Sequence, residues 1–237
     1  MAIEVFNRVE KKYLINSEQF NILSQRLEPY MNLDEYCSNG DFYSINNLYF
    51  DTEEDELIGR SIEKPVYKEK LRLRSYGVPD SNTYVFLEIK KKYKGIVNKR
   101  RTTIKLTDAY SFIENGIIPE NEMYLNTQVL KEIKYFLDFY RPKAKVFIKY
   151  DRLALFGKDD ENLRITFDKN IITRRDNLRL ENGENGEKIL EDRMYLMEIK
   201  VPASFPLWLS DMLAELKIYS NSFSKYGNEY RKTMKNS

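Results

Sequence analysis

The sequence predicts an α+β domain in which an antiparallel sheet is covered by amphipathic helices. Three observations lead to it. Short runs alternate apolar and polar residues with the two-residue period of a strand. Longer stretches between them repeat with the helical period. The 18 Tyr and 13 Phe favour strands over a purely helical bundle.

In chain order, alternation predicts a strand over 5–14, and a helix over 17–28 follows with Ser17 as a suitable N-cap. Strands are expected over 42–50, 67–76, 84–92 and 96–105. A helix over 107–115 should stop at Gly116, and another over 127–140 should start at Thr127. Strands over 145–155, 163–168 and 194–201 and a helix over 205–219 complete the set. Pro65, Gly77, Pro79, Gly95, Pro142, Gly157 and Pro202 fall between elements, as chain breakers should. The stretch 177–192, with Asn-Gly pairs at 182–183 and 185–186, reads as a mobile or hairpin insert. Residues 231–237 are expected to fray. No shift in composition divides the chain, so residues 1–237 are expected to form one domain.

Composition narrows the chemistry. The 39 Lys+Arg nearly cancel the 37 Asp+Glu, and a net charge of +2 does not indicate a nucleic-acid binder. Cys37 is the single cysteine, which excludes internal disulfides and Cys-based zinc sites. There is no histidine. Histidine-dependent nucleophilic catalysis and His-ligated metals are therefore excluded, and any metal must be a hard cation on oxygen ligands, such as Mg²⁺ or Mn²⁺. No run approaches 18 apolar residues, and the first residues lack a leader pattern. A cytoplasmic protein is expected, with no membrane span of its own; association with a membrane would need a separate partner.

Charge on the strands is the informative feature. Lys68, Lys70, Arg72 and Arg74 share one strand face, while Leu71 and Leu73 share the other. Glu88, Lys90 and Lys92 align in the same way, as do Arg8, Glu10 and Lys12. Glu198 and Lys200 oppose Ile199 and Val201, and Arg164 and Asp168 share a polar face. Arg152 adds a further strand cation. The pairs Glu10/Lys12, Glu88/Lys90 and Glu198/Lys200 put an acid and a base roughly 6–7 Å apart on one face. Such a face could hold phosphates on its cations and a divalent metal on its carboxylates. An antiparallel sheet with one solvated face gives the same alternation, and alternation alone does not separate the two readings.

Taken in order, Arg8-x-Glu10-x-Lys12-Tyr13, Leu48-Tyr49-Phe50-Asp51-Thr52, Lys70-Leu71-Arg72-Leu73-Arg74-Ser75-Tyr76-Gly77, Phe86-Leu87-Glu88-Ile89-Lys90-Lys91, Val97-Asn98-Lys99-Arg100-Arg101, Tyr150-Asp151-Arg152, Leu163-Arg164-Ile165-Thr166-Phe167-Asp168, Met197-Glu198-Ile199-Lys200 and Phe223-Ser224-Lys225-Tyr226 form a series that resembles the VTC domain. That is the polyphosphate polymerase domain of the vacuolar transporter chaperone family and its bacterial relatives, in the triphosphate tunnel metalloenzyme (CYTH-like) group. The resemblance covers approximately residues 5 to 230. It implies an eight-stranded antiparallel β-barrel, the triphosphate tunnel, with helices packed outside. It implies transfer of the γ-phosphate of ATP to a growing polyphosphate chain with Mn²⁺ or Mg²⁺. Carried over by motif, Lys12, Arg72, Arg74, Lys90, Lys99, Arg152, Arg164, Lys200 and Lys225 would bind phosphate. Glu198 would hold the metal, and Arg72, Arg74, Lys200 and Glu198 would be catalytic. Alternation does not say which of Lys99, Arg100 and Arg101 faces the ligand. Arg8 stands where tunnel enzymes often carry a first acidic residue, which mildly disfavours a simple triphosphatase.

Phosphoryl transfer fits a chain without histidine. It asks the protein mainly for positioning and charge stabilisation, and an ionised phosphate oxygen needs no general base to attack. The alternatives are a tunnel-type inorganic or nucleoside triphosphatase and a non-catalytic polyphosphate-binding subunit. Other features take plainer readings. Tyr13, Tyr49 and Tyr76 suit structural packing, and Asp51 and Asp55 suit turns or caps. Leu209, Met212, Leu213 and Leu216 form a core-facing stripe with Trp208. Lys90, Lys91, Lys92 and Lys94 alone would read as a solvated face.

Overall fold

A computed structural model describes residues 9–37, 40–119 and 124–236. Arg8 lies outside them. The chain divides into two compact units, each with its own hydrophobic core. All strand pairs are antiparallel where their register is defined.

The first unit takes residues 1–44, 150–171 and 188–224. It holds β1 (Val9–Asn16), α1 (Ser17–Leu27), β2 (Met31–Leu33), β10 (Met194–Val201) and α5 (Leu207–Glu215), with the C-terminal half of β7 (Lys143–Gly157) and most of β8 (Arg164–Arg174). Its strand order is β1-β10-β8-β7, and β2 pairs with β7. Ile15, Leu23, Leu27, Phe167, Ile199 and Leu209 are sealed in its core, which places the α1 and α5 stripes as their periodicity predicts. Cys37 is buried there too, taking a weak hydrogen bond from the Ala154 amide. The N-cap of α1 is Asn16, one residue before the expected Ser17. Asn16 and Gln19 form a reciprocal capping box, while the Ser17 hydroxyl donates to the Arg193 carbonyl.

The second unit takes residues 45–149, 172–187 and 225–237. It holds most of β3 (Tyr43–Asp51), then α2 (Glu56–Ile62), β4 (Tyr67–Tyr76), β5 (Tyr84–Tyr93), β6 (Ile96–Lys105), α3 (Leu106–Asn115), α4 (Thr127–Tyr140) and α6 (Lys225–Asn236). Its strand order is β7-β3-β4-β5-β6. Leu71, Leu73, Leu87, Ile89 and Ile104 bury one sheet face against Phe112, Ile133 and Phe136 of α3 and α4. Gly116 ends α3 with φ +68°, a left-handed position that costs glycine nothing. α4 is capped by Asn126, which accepts from the Val129 amide, so the cap again falls one residue before the expected threonine.

Several expectations change. The sheet has ten strands rather than eight, because the short β2 and β9 (Glu187–Lys188) add to β7 and β8. The hydrogen-bonded path runs from β1 to β6 and is not closed by backbone pairing among the described residues. The insert over 177–192 is held by the Arg174 guanidinium, which donates to the carbonyls of Asn177, Arg179, Gly183 and Asn185. The C-terminal residues through 236 are helical rather than frayed. Arg175 ties α6 down, donating to Glu229 at 2.6 and 3.0 Å and to Asp55 at 2.6 Å. The short α2 is made by Asp51, whose fully buried carboxylate accepts from the amides of Thr52, Leu57 and Ile58 and from the Tyr226 hydroxyl. Burial pushes the Asp51 carboxyl up, and those four donors oppose it.

Candidate anion-binding site

In the second unit, strand register fixes which side chains share a face. Opposite residues across an antiparallel pair point the same way. Arg72 faces Tyr49 of β3 and Glu88 of β5, and Arg74 faces Asn47 and Phe86. Glu88 in turn faces Arg101 of β6, and Lys90 faces Lys99. Lys99 therefore lies on the site face. Arg100 points to the opposite face and pairs with Glu132 of α4 at 3.1 Å.

Glu88 is the centre of this cluster. It is 2% exposed, and its carboxylate takes Arg72 Nε at 2.7 Å and Lys99 Nζ at 2.8 Å. Burial alone would raise its pKa, but Arg72, Arg74 and Lys99 outweigh burial and hold it at about 2. Lys99 is pressed down to about 8 by burial and the two guanidiniums, against the pull of Glu88. Arg72 also donates to the Tyr49 hydroxyl at 3.0 Å. Burial raises the Tyr49 phenol, yet Arg72, Arg74 and Lys70 bring it to about 8. Arg74 is oriented by the Asn47 side-chain oxygen at 3.0 Å, and Asn47 is anchored on the Ile148 carbonyl. Lys225 opens α6 beside Tyr226, whose ring lies 4.9 Å from that of Tyr49. Arg72, Arg74, Lys90, Lys99 and Lys225 are thus all carried by this unit.

In the first unit, Lys12, Glu198 and Thr166 stand in register across β1, β10 and β8, beside Glu10, Lys200 and Arg164. The Lys12 ammonium sits 3.2 Å from Glu198 and 3.7 Å from Glu10. Lys200 is 3.8 Å from Glu10. Arg152 makes a two-pronged pair with the buried Asp168 at 2.7 and 2.8 Å, and this pair drives its pKa well above the usual value against burial. Arg164 is half exposed and pairs with Asp34 at 3.0 Å.

The resemblance implies a divalent metal on Glu198. Among the described residues no group of three or more acidic or thiol side chains converges, so a cage built from protein alone is absent. Mg²⁺ is usually held by one or two carboxylates plus substrate phosphates, and Glu198 with Glu10 supplies that donor set. Lys12 already places a cation between these two carboxylates. The buried Thr166 hydroxyl, in register with Glu198, lacks a hydrogen-bond partner among the described residues. The residues fit a hard cation that arrives with phosphate.

Sequence reasoning offered Glu10 and Glu88 only among the carboxylates that could hold a metal, and read Tyr49 as packing. Glu88 shares the parity of Arg72 and Arg74, which was the available signal. Asn47, on the same face, carried no comparable one.

The described residues thus set cationic strand faces on an antiparallel α+β scaffold. The sequence matches the VTC domain over residues 7–234, and the chain belongs to that family. No curated protein matches the sequence. Among solved structures, a candidate adenylate cyclase from Bacillus halodurans shares the fold at a TM-score of 0.55 and 16% identity, covering 92% of this chain and 93% of that one. A candidate adenylyl cyclase from Hippeastrum, described as having a dominant triphosphatase activity, scores 0.49 at 18% identity, with 92% and 93% covered. A candidate adenylate cyclase from Vibrio parahaemolyticus scores 0.49 at 12% identity, with 94% and 97% covered. No helix among the described residues is long and apolar enough to cross a membrane.

Proposed function

We propose that this chain is an ATP-dependent polyphosphate polymerase of the triphosphate tunnel type, with residues 1–237 acting as one functional domain. The observation that carries the reading is the cluster of Arg72, Arg74 and Lys99 around a single buried carboxylate, in a chain of the VTC domain family. The reaction joins a terminal phosphate oxygen of the growing chain to the γ-phosphorus of ATP. The bond from that phosphorus to the β,γ-bridging oxygen breaks, and ADP leaves with the electron pair. The attacking oxygen is already ionised, so no proton need be removed.

Arg72 and Arg74 grip and stabilise the transferred group, because a guanidinium can meet two phosphate oxygens at once. Lys90, Lys99 and Lys225 add point charges from the same unit. Lys12, Arg152, Arg164 and Lys200 serve as phosphate ligands in the first unit, with Lys200 assisting transfer. Glu198, with Glu10 beside it, would hold Mg²⁺ or Mn²⁺. When bound, the ion would supply charge neutralisation. A hydrolase is the second reading, favoured by Lys99 and Tyr49, whose pKa values near 8 suit proton transfer from water.

Purified protein incubated with ATP and Mn²⁺ tests the choice. Chain growth on a gel supports the polymerase. Free phosphate without growth supports the hydrolase, and binding without turnover supports a polyphosphate-binding subunit.

A further inference from the structure

The cations on the site face of the second unit continue past the cluster that grips a triphosphate. Lys70 stands directly opposite Lys90, and Lys68 directly opposite Lys92. Lys90 also faces Lys99 on its other side. On this face β4 carries four cations, β5 two and β6 three, while Glu88 is the one acid that the three strands contribute. The other face is balanced differently. There Lys91 meets Glu69 and Glu132, and Arg100 meets Glu132. The imbalance is confined to one face and is not a general basicity of these strands.

Like charges set directly opposite in an antiparallel pair are unfavourable. The structure registers the strain: Lys68 is lowered by burial and then by Lys92, Lys90 and Lys64. Two further lysines stand at the hairpin end of these strands at some backbone cost. Lys94 and Gly95 form the two-residue β5–β6 turn, both with positive φ, at +46° and +88°. Asn or Gly is the usual choice where Lys94 stands. Lys64, just before β4, also has positive φ at +56°. From Arg74 to Lys68 the row spans six residues, about 20 Å at strand rise. That is longer than three linked phosphates can reach.

We infer that Lys68 and Lys92, with Lys64 and Lys94 at the hairpin end, form a track for a long linear polyanion beyond the triphosphate-gripping residues. The ligand class is a chain of linked phosphates longer than a triphosphate, so the inference rests on the polyphosphate reading above and deepens it. Repeating anionic charge along a flexible chain matches a row of ammonium groups, which act as point charges without demanding fixed orientation. The Lys68 ammonium itself donates to the Ser61 carbonyl of α2 at 2.9 Å.

The test compares wild type with the Lys68→Gln/Lys92→Gln variant, using tripolyphosphate and long-chain polyphosphate as separate ligands. Affinity for the long chain should fall ~10-fold or more, and its salt dependence should flatten by about two counter-ions. Affinity for tripolyphosphate should stay within ~2-fold, since Arg72, Arg74 and Lys99 carry it. Lys92→Glu alone, which leaves the Lys68–Ser61 bond in place, should reproduce the loss for the long chain. Equal losses for both ligands, or no loss for either, would overturn the track. The ATP and Mn²⁺ assay on wild type is read separately. A length-dependent loss with no polymer formed would leave the track and remove the polymerase, whereas polymer formation with an unaffected variant would remove only the track.

Discussion

Arg72 and Glu88 face each other across β4 and β5, with the guanidinium Nη2 2.6 Å and Nε 2.7 Å from one carboxylate oxygen. The other oxygen takes Lys99. One buried acid thus holds two cations in place without neutralising them both, and the surplus is available to an anion. Removing that acid should separate its two effects. Glu88→Gln should cost about 1–3 kcal/mol of stability, since Arg72 and Lys99 keep some solvent contact. Tripolyphosphate should recover more stability in the variant than in wild type, measured as the shift in unfolding midpoint. An equal shift in both proteins would show that Glu88 does not restrain the surplus.

Arg72 should not tolerate lysine. Its fork reaches Glu88 and Tyr49 together, and an ammonium cannot keep both contacts and meet phosphate. Arg72→Ala and Arg74→Ala should each weaken triphosphate binding by about 1.5–3 kcal/mol in calorimetry. Arg72→Lys should recover little of that loss. Unchanged affinity in both alanine variants would remove them from the site.

The Lys99 value predicts a pH dependence with a definite sign. Its folded pKa, about 8, is below the ordinary lysine value, so the ammonium is lost as pH rises through 8. Tyr49 becomes a phenolate over the same range. Both changes remove positive charge, so triphosphate affinity should fall between about pH 7 and pH 9.5. Lys99→Arg should move that fall to higher pH. Stability runs the other way: the unfolded chain holds more protons on both groups between about pH 8 and pH 10, so folding gains as pH rises there. At the acid end Glu88 is depressed, and its contribution is lost as pH drops through about 4 towards 2.

Glu198→Gln should abolish turnover while leaving tripolyphosphate binding measurable, because the change removes a metal donor and keeps the cations. Titration of Mn²⁺ followed by paramagnetic relaxation reads the metal directly. Wild-type Mn²⁺ affinity in the variant would move the metal to another residue.

Asp51→Ala should destabilise the second unit by about 2–4 kcal/mol, through loss of the α2 cap and of the Tyr226 bond. Tyr226→Phe should cost about 1 kcal/mol by the same measure, thermal unfolding.

What the sequence disclosed follows from what is periodic. Alternation placed Lys68, Lys70, Arg72 and Arg74 on one face, and their register in β4 agrees. It could not choose between Lys99, Arg100 and Arg101, since that choice depends on the partner strand, and Glu132 of α4 takes Arg100 away. The Arg175–Asp55–Glu229 network was invisible for a related reason. Its members lie 120 and 54 residues apart, and no local pattern links them. Helices α2 and α6 were missed because one is seven residues long and the other is mostly polar. Both depend on tertiary anchors more than on propensity. The caps were misread by one residue because Asn16 and Asn126 precede a serine and a threonine that look equally suitable.

If the chain binds polyphosphate as proposed, the lysines set opposite one another on β4 and β5 would tie its durability to its ligand. On the proposed function, a polyanion on this face would relieve their mutual repulsion, so occupancy and resistance to heat should rise and fall together. Variants selected for heat resistance alone would be expected to shed these cations, and a more robust protein obtained that way should bind polyphosphate less well.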